Sequence, residues 1–136
     1  MIRSHFQKTL LCVIFITGSV FSFAQFTIYN TSNSGLPYNT VRSVASKPLS
    51  NEIWAGTDFG LAQFDGTNWI IFNTSNSDLT DNYIRALEFD SFGDLWVGTL
   101  SGGLFHYDGI IWTNYTMANS DLPDNQIKDI EFDQDG

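Results

Sequence analysis

An all-β array of four-stranded antiparallel repeats is what this sequence predicts, and three observations predict it. The stretch Asn33-Ser34-Gly35-Leu36 returns as Asn76-Ser77-Asp78-Leu79 and again as Asn119-Ser120-Asp121-Leu122, 43 residues apart each time. Within a copy the apolar runs are short, rich in β-branched and aromatic residues, and separated by Gly, Asp, Asn and Ser, which is strand-and-turn punctuation. No segment carries a sustained helical period.

Residues 1–24 are chemically different from the rest. Arg3 and Lys8 lead into an apolar run from Leu10 to Phe23 that is too short to cross a membrane as a helix. With Ser22 and Ala24 placed before Gln25, the segment reads as a secretory signal cleaved after Ala24. Cys12 follows Leu10-Leu11 inside that run and lacks the small preceding residue of a lipoprotein cleavage site, so lipid anchoring is not expected. The 112 residues that follow contain no cysteine, which excludes disulfides and thiolate chemistry from an exported product. They carry no second long apolar segment, so no membrane insertion is expected of them. All 15 acidic residues of the chain lie there, against only Arg42, Lys47, Arg85 and Lys128. Nucleic acid and anionic membrane surfaces need clustered cations and are poor partners for such a balance.

The copies align residue by residue. Val41 matches Ile84, Val44 matches Leu87, Trp54 matches Trp96, Gly56-Thr57 matches Gly98-Thr99, Gly60-Leu61 matches Gly103-Leu104, and Trp69 matches Trp112. Two compensating single-residue changes fall in turns, one before Trp54 and one before Gly103, where insertions are tolerated. In the complete copy the pattern predicts strands over Tyr83 to Asp90, Leu95 to Thr99, Leu104 to Tyr107 and Ile111 to Tyr115. The connectors Ser91-Phe92-Gly93-Asp94, Ser101-Gly102-Gly103 and Asp108-Gly109 are turn chemistry, and their shortness makes neighbouring strands antiparallel.

A four-stranded unit with a period of about 43 residues is a β-propeller blade, a sheet that buries its faces only by stacking on its neighbours. The organisation expected is an outer strand at 26–30, a blade over 41–73, a second over 83–116 and the start of a third at 126–136, roughly two and a half blades of an incomplete propeller. Phe26 to Asn30 align with Trp69 to Asn73, the outermost strand, so the N-terminal segment is expected to complete the last blade of a closed ring. Blade faces without a neighbour should make the isolated chain oligomerise, aggregate or lose fixed packing.

The run Asn82 to Asp90, then Gly93-Asp94-Leu95-Trp96-Val97-Gly98-Thr99, then Gly102-Gly103-Leu104-Phe105-His106-Tyr107-Asp108-Gly109, resembles the two-component regulator propeller repeat. The first copy departs from that pattern where Ser46-Lys47-Pro48-Leu49-Ser50-Asn51 replaces an Asp-x-x-Gly turn, which bears on one hairpin's geometry. The third copy agrees from Asn125 to Gly136. The resemblance implies an extracytoplasmic propeller, found in this family either as the sensor part of membrane-spanning hybrid histidine kinases that detect polysaccharide fragments, or in secreted and surface proteins of Gram-negative bacteria. The linker style of Ile70-Ile71-Phe72-Asn73 and Leu122-Pro123-Asp124-Asn125 is that of the second group.

Each eye-catching residue has a structural reading beside a functional one. Trp54 and Trp96 have the aromatic faces that stack on sugars, but their fixed place before Gly-Thr makes inter-blade packing the expectation. Trp69 and Trp112, beside the outer strand, are expected to pack too. Asp133-Gln134-Asp135-Gly136 has the alternation of a calcium loop, yet its counterpart Asp90-Ser91-Phe92-Gly93 keeps the turn without the alternation, so a hairpin is the better reading. His106 has no second histidine or cysteine after residue 24; no metal site and no cofactor are expected, and it reads as a surface strand residue. Asn30-Thr31-Ser32, Asn73-Thr74-Ser75 and Asn114-Tyr115-Thr116 fit a glycosylation sequon and are read as inter-blade turn residues.

One position hints at function. Arg42, Arg85 and Lys128 recur beside the first apolar residue of each innermost strand, which in a closed ring repeats a cation near one mouth of the central channel. The competing reading is that they offset carboxylates such as Asp81, Glu88 and Asp124. The sequence therefore points to a non-catalytic, exported recognition module, periplasmic or at the surface of a Gram-negative bacterium. Its partners would be a carbohydrate or other small polar ligand and further propeller blades. A propeller lyase or glycosidase and a purely structural scaffold are the competing classes; short inter-strand loops without paired carboxylates weigh against an enzyme.

Overall fold

The computed structural model describes residues 27–133; the leader expected at 1–24 and the end of the turn at 134–136 lie outside the described residues. The chain forms two four-stranded antiparallel sheets. The first contains β1 (Val41–Ser46), β2 (Ile53–Thr57), β3 (Gly60–Phe64) and β4 (Trp69–Phe72); the second contains β5 (Ile84–Phe89), β6 (Leu95–Thr99), β7 (Leu104–Tyr107) and β8 (Trp112–Tyr115). Strands pair in chain order within each sheet. Register repeats as well as order: Trp54 faces Gln63 as Trp96 faces His106, and Phe64 faces Trp69 as Tyr107 faces Trp112. No helix long and apolar enough to cross a membrane occurs among the described residues.

Two of the four strands expected in the second copy are shortened where the turns take over their backbone groups. Asp90 Oδ1 accepts the Phe92 and Asp94 amides at 3.0 and 2.9 Å, so β5 stops at Phe89. Asp108 Oδ1 accepts the Ile110 and Ile111 amides at 2.8 and 2.7 Å, so β8 opens at Trp112 and not at Ile111. The irregular hairpin of the first copy is visible as Leu49 at φ 57°, a left-handed conformation that costs a side chain roughly 1–2 kcal/mol. The matching turn of the second copy uses Gly93 at φ 84°.

The sheets meet through β5, which packs on β1 and β2. Ser43 Oγ accepts the Leu87 amide at 3.0 Å across this seam. One core runs between the sheets, built from Trp54, Leu61 and Leu79 on one side and Ile84, Leu87, Phe89, Leu95, Val97 and Phe105 on the other. Trp54 is only 3% exposed; it stacks on Phe72 at 5.4 Å and meets Phe89 and Tyr107 of the second sheet edge-on at 6.4 and 6.1 Å. The glycine two residues after Trp54 in β2, and after Trp96 in β6, is sterically required. A Cβ on Gly56 would lie 2.6 Å from Ile84 Cγ2, and one on Gly98 2.5 Å from Ile127 Cγ2.

Ile127 thus stands to the second blade as Ile84 stands to the first, and its amide donates to the Thr99 carbonyl at 3.0 Å. Phe132 meets Trp96 edge-on at 5.9 Å as Phe89 meets Trp54. The third copy has begun to dock, although 126–133 form no strand. Residues 27–30 form no strand either, contrary to the outer strand expected there, because none of the described strands pairs with them. Their side chains nonetheless follow the repeat: Tyr29 packs on Phe64 and Trp69 as Phe72 packs on Tyr107 and Trp112.

The recurrent Asn-Ser-x-Leu motif is the clasp between blades. Asn76 Oδ1 accepts the Asn73 amide and its Nδ2 donates to the Ile71 carbonyl, both at 2.8 Å, while Ser77 Oγ donates to the Asn73 carbonyl at 2.7 Å. Asn33 with Ser34, and Asn119 with Ser120, make the same three bonds. Asn39, Asn82 and Asn125 each accept one further connector amide at 2.8 Å. The motif's leucine then enters the core as Leu36 and Leu79.

Candidate functional site

The recurrent cations sit at a break in the sheet. The β1–β2 register shifts between Val41 and Ser43, and the β5–β6 register between Ile84 and Ala86, so the residue skipped is Arg42 in one copy and Arg85 in the other. A bulge re-aims the side chain of its extra residue and leaves that residue out of the ladder. Both arginines lie on the first strand of their sheet, β1 or β5, at the end nearest the connectors and the β2–β3 and β6–β7 loops. Lys128 occupies the same position in the third copy and is exposed.

The three cations are not equivalent. Arg42 Nε is bonded to Asp58, and Nη2 donates to Asp58 Oδ2 at 3.2 Å. That hydrogen bond and the carboxylate's charge raise the guanidinium pKa above its ordinary value. Its Cζ lies 4.4 Å above the Tyr83 ring, so Arg42 also bridges the two sheets through a cation–π contact. Arg85 has no such carboxylate because Leu100 stands in the second copy where Asp58 stands in the first. Half-buried Arg85 forms no ion pair among the described residues. Asp58 and Tyr83 escaped sequence reasoning, since only the strand register brings Arg42 to them.

Asp81, proposed as a rim carboxylate offsetting these cations, has other partners. Its Oδ1 accepts the Tyr83 amide at 2.9 Å, and Oδ2 accepts the Ser101 amide and hydroxyl at 2.7 and 2.8 Å. Burial pushes its pKa up, but these donors outweigh burial and hold the carboxyl below its usual range. The equivalent place in the first copy is apolar, with Tyr38 against Phe59 at 4.7 Å. The rim therefore changes character from blade to blade.

Among the other candidates, Trp54 is inter-blade core, while Trp96 is half-buried and stacks on Tyr115 at 5.8 Å. Trp69 and Trp112 stack on Phe64 and Tyr107 at 4.6 and 4.3 Å. Asn30 and Asn73 lie in the connector turns, but Asn114 belongs to β8, where its Oδ1 is buried. His106 is not isolated. Its Nε2 lies 3.1 Å from Asp94 Oδ2, and its ring lies 4.7 Å from Trp96. Asp90 completes a group whose ligand atoms all fall within 4.8 Å of one another. The turn from β5 to β6 and the β6–β7 register assemble it, which spacing along the chain did not disclose.

Residues 78–101 match the family model described as two component regulator propeller. That segment spans the end of the clasp, β5 and β6, the strands that carry Arg85 and Trp96. A comparison with curated proteins gives no match.

Proposed function

We propose that this chain is part of a non-catalytic β-propeller module that recognises an acidic or polyhydroxylated ligand, of which an oligosaccharide is the leading class, outside the cytoplasm. The observation that carries the reading is the ladder break at Arg42 and Arg85. Two blades of different surface character both place a cation at a bulge on the first strand. Bulges of this kind re-aim a side chain and are over-represented next to binding and active sites. Arg85, without a carboxylate partner, is the cation free to engage a ligand; Arg42, clamped by Asp58 and Tyr83, acts as a fixed wall of the same site. The short β-turns between strands support binding over catalysis, since propeller enzymes build their acids on longer loops. The leader-like residues 1–24 support export.

The test is an oligosaccharide array probed with the full-length protein and with its Arg85→Gln and Arg42→Gln variants. Binding lost or weakened at least tenfold in Arg85→Gln, with a smaller loss in Arg42→Gln, is expected. Binding equal to the parent's in the Arg42→Gln/Arg85→Gln double variant sinks the channel-mouth site.

A further inference from the structure

We propose that Asp90, Asp94 and His106 form a site for a divalent cation of the zinc class at the hairpin end of the second blade. The three side chains are half-buried and converge from the β5–β6 turn and β7. Asp94 Oδ2 and His106 Nε2 are 3.1 Å apart. That separation is close to what two ligands take when both lie about 2.0–2.2 Å from one metal. Asp90 is held ready from behind: Trp96 Nε1 donates to its Oδ2 at 3.0 Å, and the Phe92 and Asp94 amides donate to Oδ1. Such outer donors orient a ligating carboxylate and leave a lone pair of Oδ2 for a cation.

The first blade shows independently that this point in the repeat takes a positive charge. There the same three places are held by Lys47, Glu52 and Gln63. The Lys47 amide bonds to the Glu52 carbonyl at 3.0 Å, as the Asp90 amide bonds to the Asp94 carbonyl at 3.0 Å, so the backbones superimpose in kind. Lys47 Nζ stands 4.0 Å from Glu52 Oε2, which also accepts Gln63 Nε2 at 3.0 Å. The first blade supplies its own cation from the chain. The second exchanges that lysine for a carboxylate and the amide for an imidazole, and no lysine or arginine pairs with either aspartate among the described residues. Two carboxylates therefore share one small space with an imidazole.

The donor set selects the metal. Calcium and magnesium take all-oxygen shells, whereas an imidazole with carboxylates suits the borderline first-row ions. Three protein ligands leave coordination positions for water or a ligand atom. The site is separate from the arginines, which lie at the opposite, connector end of the strands.

Zn2+ titration of the full chain by calorimetry, paired with Ni2+ quenching of tryptophan fluorescence, tests the assignment. One saturable Zn2+ per chain is expected, together with partial quenching by Ni2+ because Trp96 lies 4.7 Å from His106. His106→Gln installs the residue the first blade already carries at this place. It should weaken Zn2+ at least tenfold and remove the quench, and Asp94→Asn should do the same. No saturable binding below millimolar Zn2+, or binding and quenching unchanged in both variants, overturns the site. Loss in one variant only, with circular dichroism intact in both, overturns the three-ligand assignment.

Discussion

The Trp54 indole offers a direct measure of what a single exchange between copies does to the blade. In the second copy Trp96 Nε1 donates to Asp90 Oδ2 at 3.0 Å. In the first, Lys47 stands where Asp90 would, and Trp54 Nε1 is buried with no hydrogen-bond partner. A buried donor left without an acceptor costs about 1–3 kcal/mol. Lys47→Asn returns an acceptor to this spot without adding a charge beside Glu52. The variant gives up the Lys47–Glu52 pair, which at 4.0 Å and with the lysine 38% exposed contributes at most a few tenths of a kcal/mol. The net expectation is a gain of about 0.5–2 kcal/mol, and for a folded unit of about 100 residues each kcal/mol moves the midpoint by about 4 °C or more. Thermal and urea unfolding at fixed protein concentration measure it, with Trp54→Phe as background. The gain should vanish there, because phenylalanine has no donor to satisfy. A Lys47→Asn variant no more stable than the parent, or equally stabilised with and without the indole, refutes the reasoning.

Other outcomes follow from the same geometry. Gly56→Ala forces a Cβ to within 2.6 Å of Ile84 across the blade seam and should lower stability by about 1–3 kcal/mol in the same unfolding assay; a neutral result means the blades do not meet there. Asn76→Ala removes two clasp bonds, to the Asn73 amide and the Ile71 carbonyl, and should cost about 1–3 kcal/mol, whereas Asn76→Asp, keeping the acceptor, should cost less. Asp81 and Asp90 are both held below the ordinary carboxylate pKa: in each, burial raises it and is outweighed by donors, Tyr83 and Ser101 for Asp81, the Trp96 indole and the turn amides for Asp90. A depressed folded pKa gives stability that is present above the unfolded value of about 3.9 and is lost as pH falls through the folded one. Unfolding midpoints should therefore hold steady from pH 7 to 5 and drop below about pH 4, and a drop already complete by pH 5.5 contradicts this. The apolar cleft of about 450 Å³ over Trp96, Leu104, Tyr115 and Leu122 should make the isolated chain self-associate, and a concentration-independent monomer by ultracentrifugation excludes it.

The fold was legible because its instructions are local and repeated. Strand positions followed from short β-branched runs, and their ends needed only the knowledge that Asp90 and Asp108 take over turn amides. The Asn-Ser-x-Leu clasp was legible as a connector, though not its bonding, since Asn76 acts on backbone three and five residues back. What stayed hidden depended on register. Arg42 meets Asp58 sixteen residues away and Tyr83 in the next blade, and His106 meets Asp94 across a strand pair. No chain-order pattern expresses either meeting. The outer strand expected at 26–30 and the start of a third blade at 126–136 were legible as sequence, but the described residues 27–30 and 126–133 form no strand, because a β-strand is defined by a partner and none of the described strands pairs with them.

Repetition supplies a control that a single-copy fold lacks. Where both blades carry the same residue in the same bonding, as at Gly56 and Gly98 or Asn33 and Asn76, the architecture alone accounts for it. Function is to be sought where equivalent backbone carries different chemistry. Two such places stand out, and they lie at opposite ends of the strands. At the connector end, a bulged arginine is clamped by Asp58 in one blade and released by Leu100 in the next. At the hairpin end, Lys47, Glu52 and Gln63 give way to Asp90, Asp94 and His106 on the same hydrogen-bonded turn. The folding requirement is met by both versions, as the conserved turn bond at 3.0 Å in each blade shows. The exchange of a lysine for an aspartate therefore cannot be explained by what the turn needs, and it even leaves Trp54 worse bonded than Trp96. A blade that gives up a satisfied indole to keep a lysine, beside one that keeps the indole and gathers two carboxylates on a histidine, has been tuned at that spot for charge.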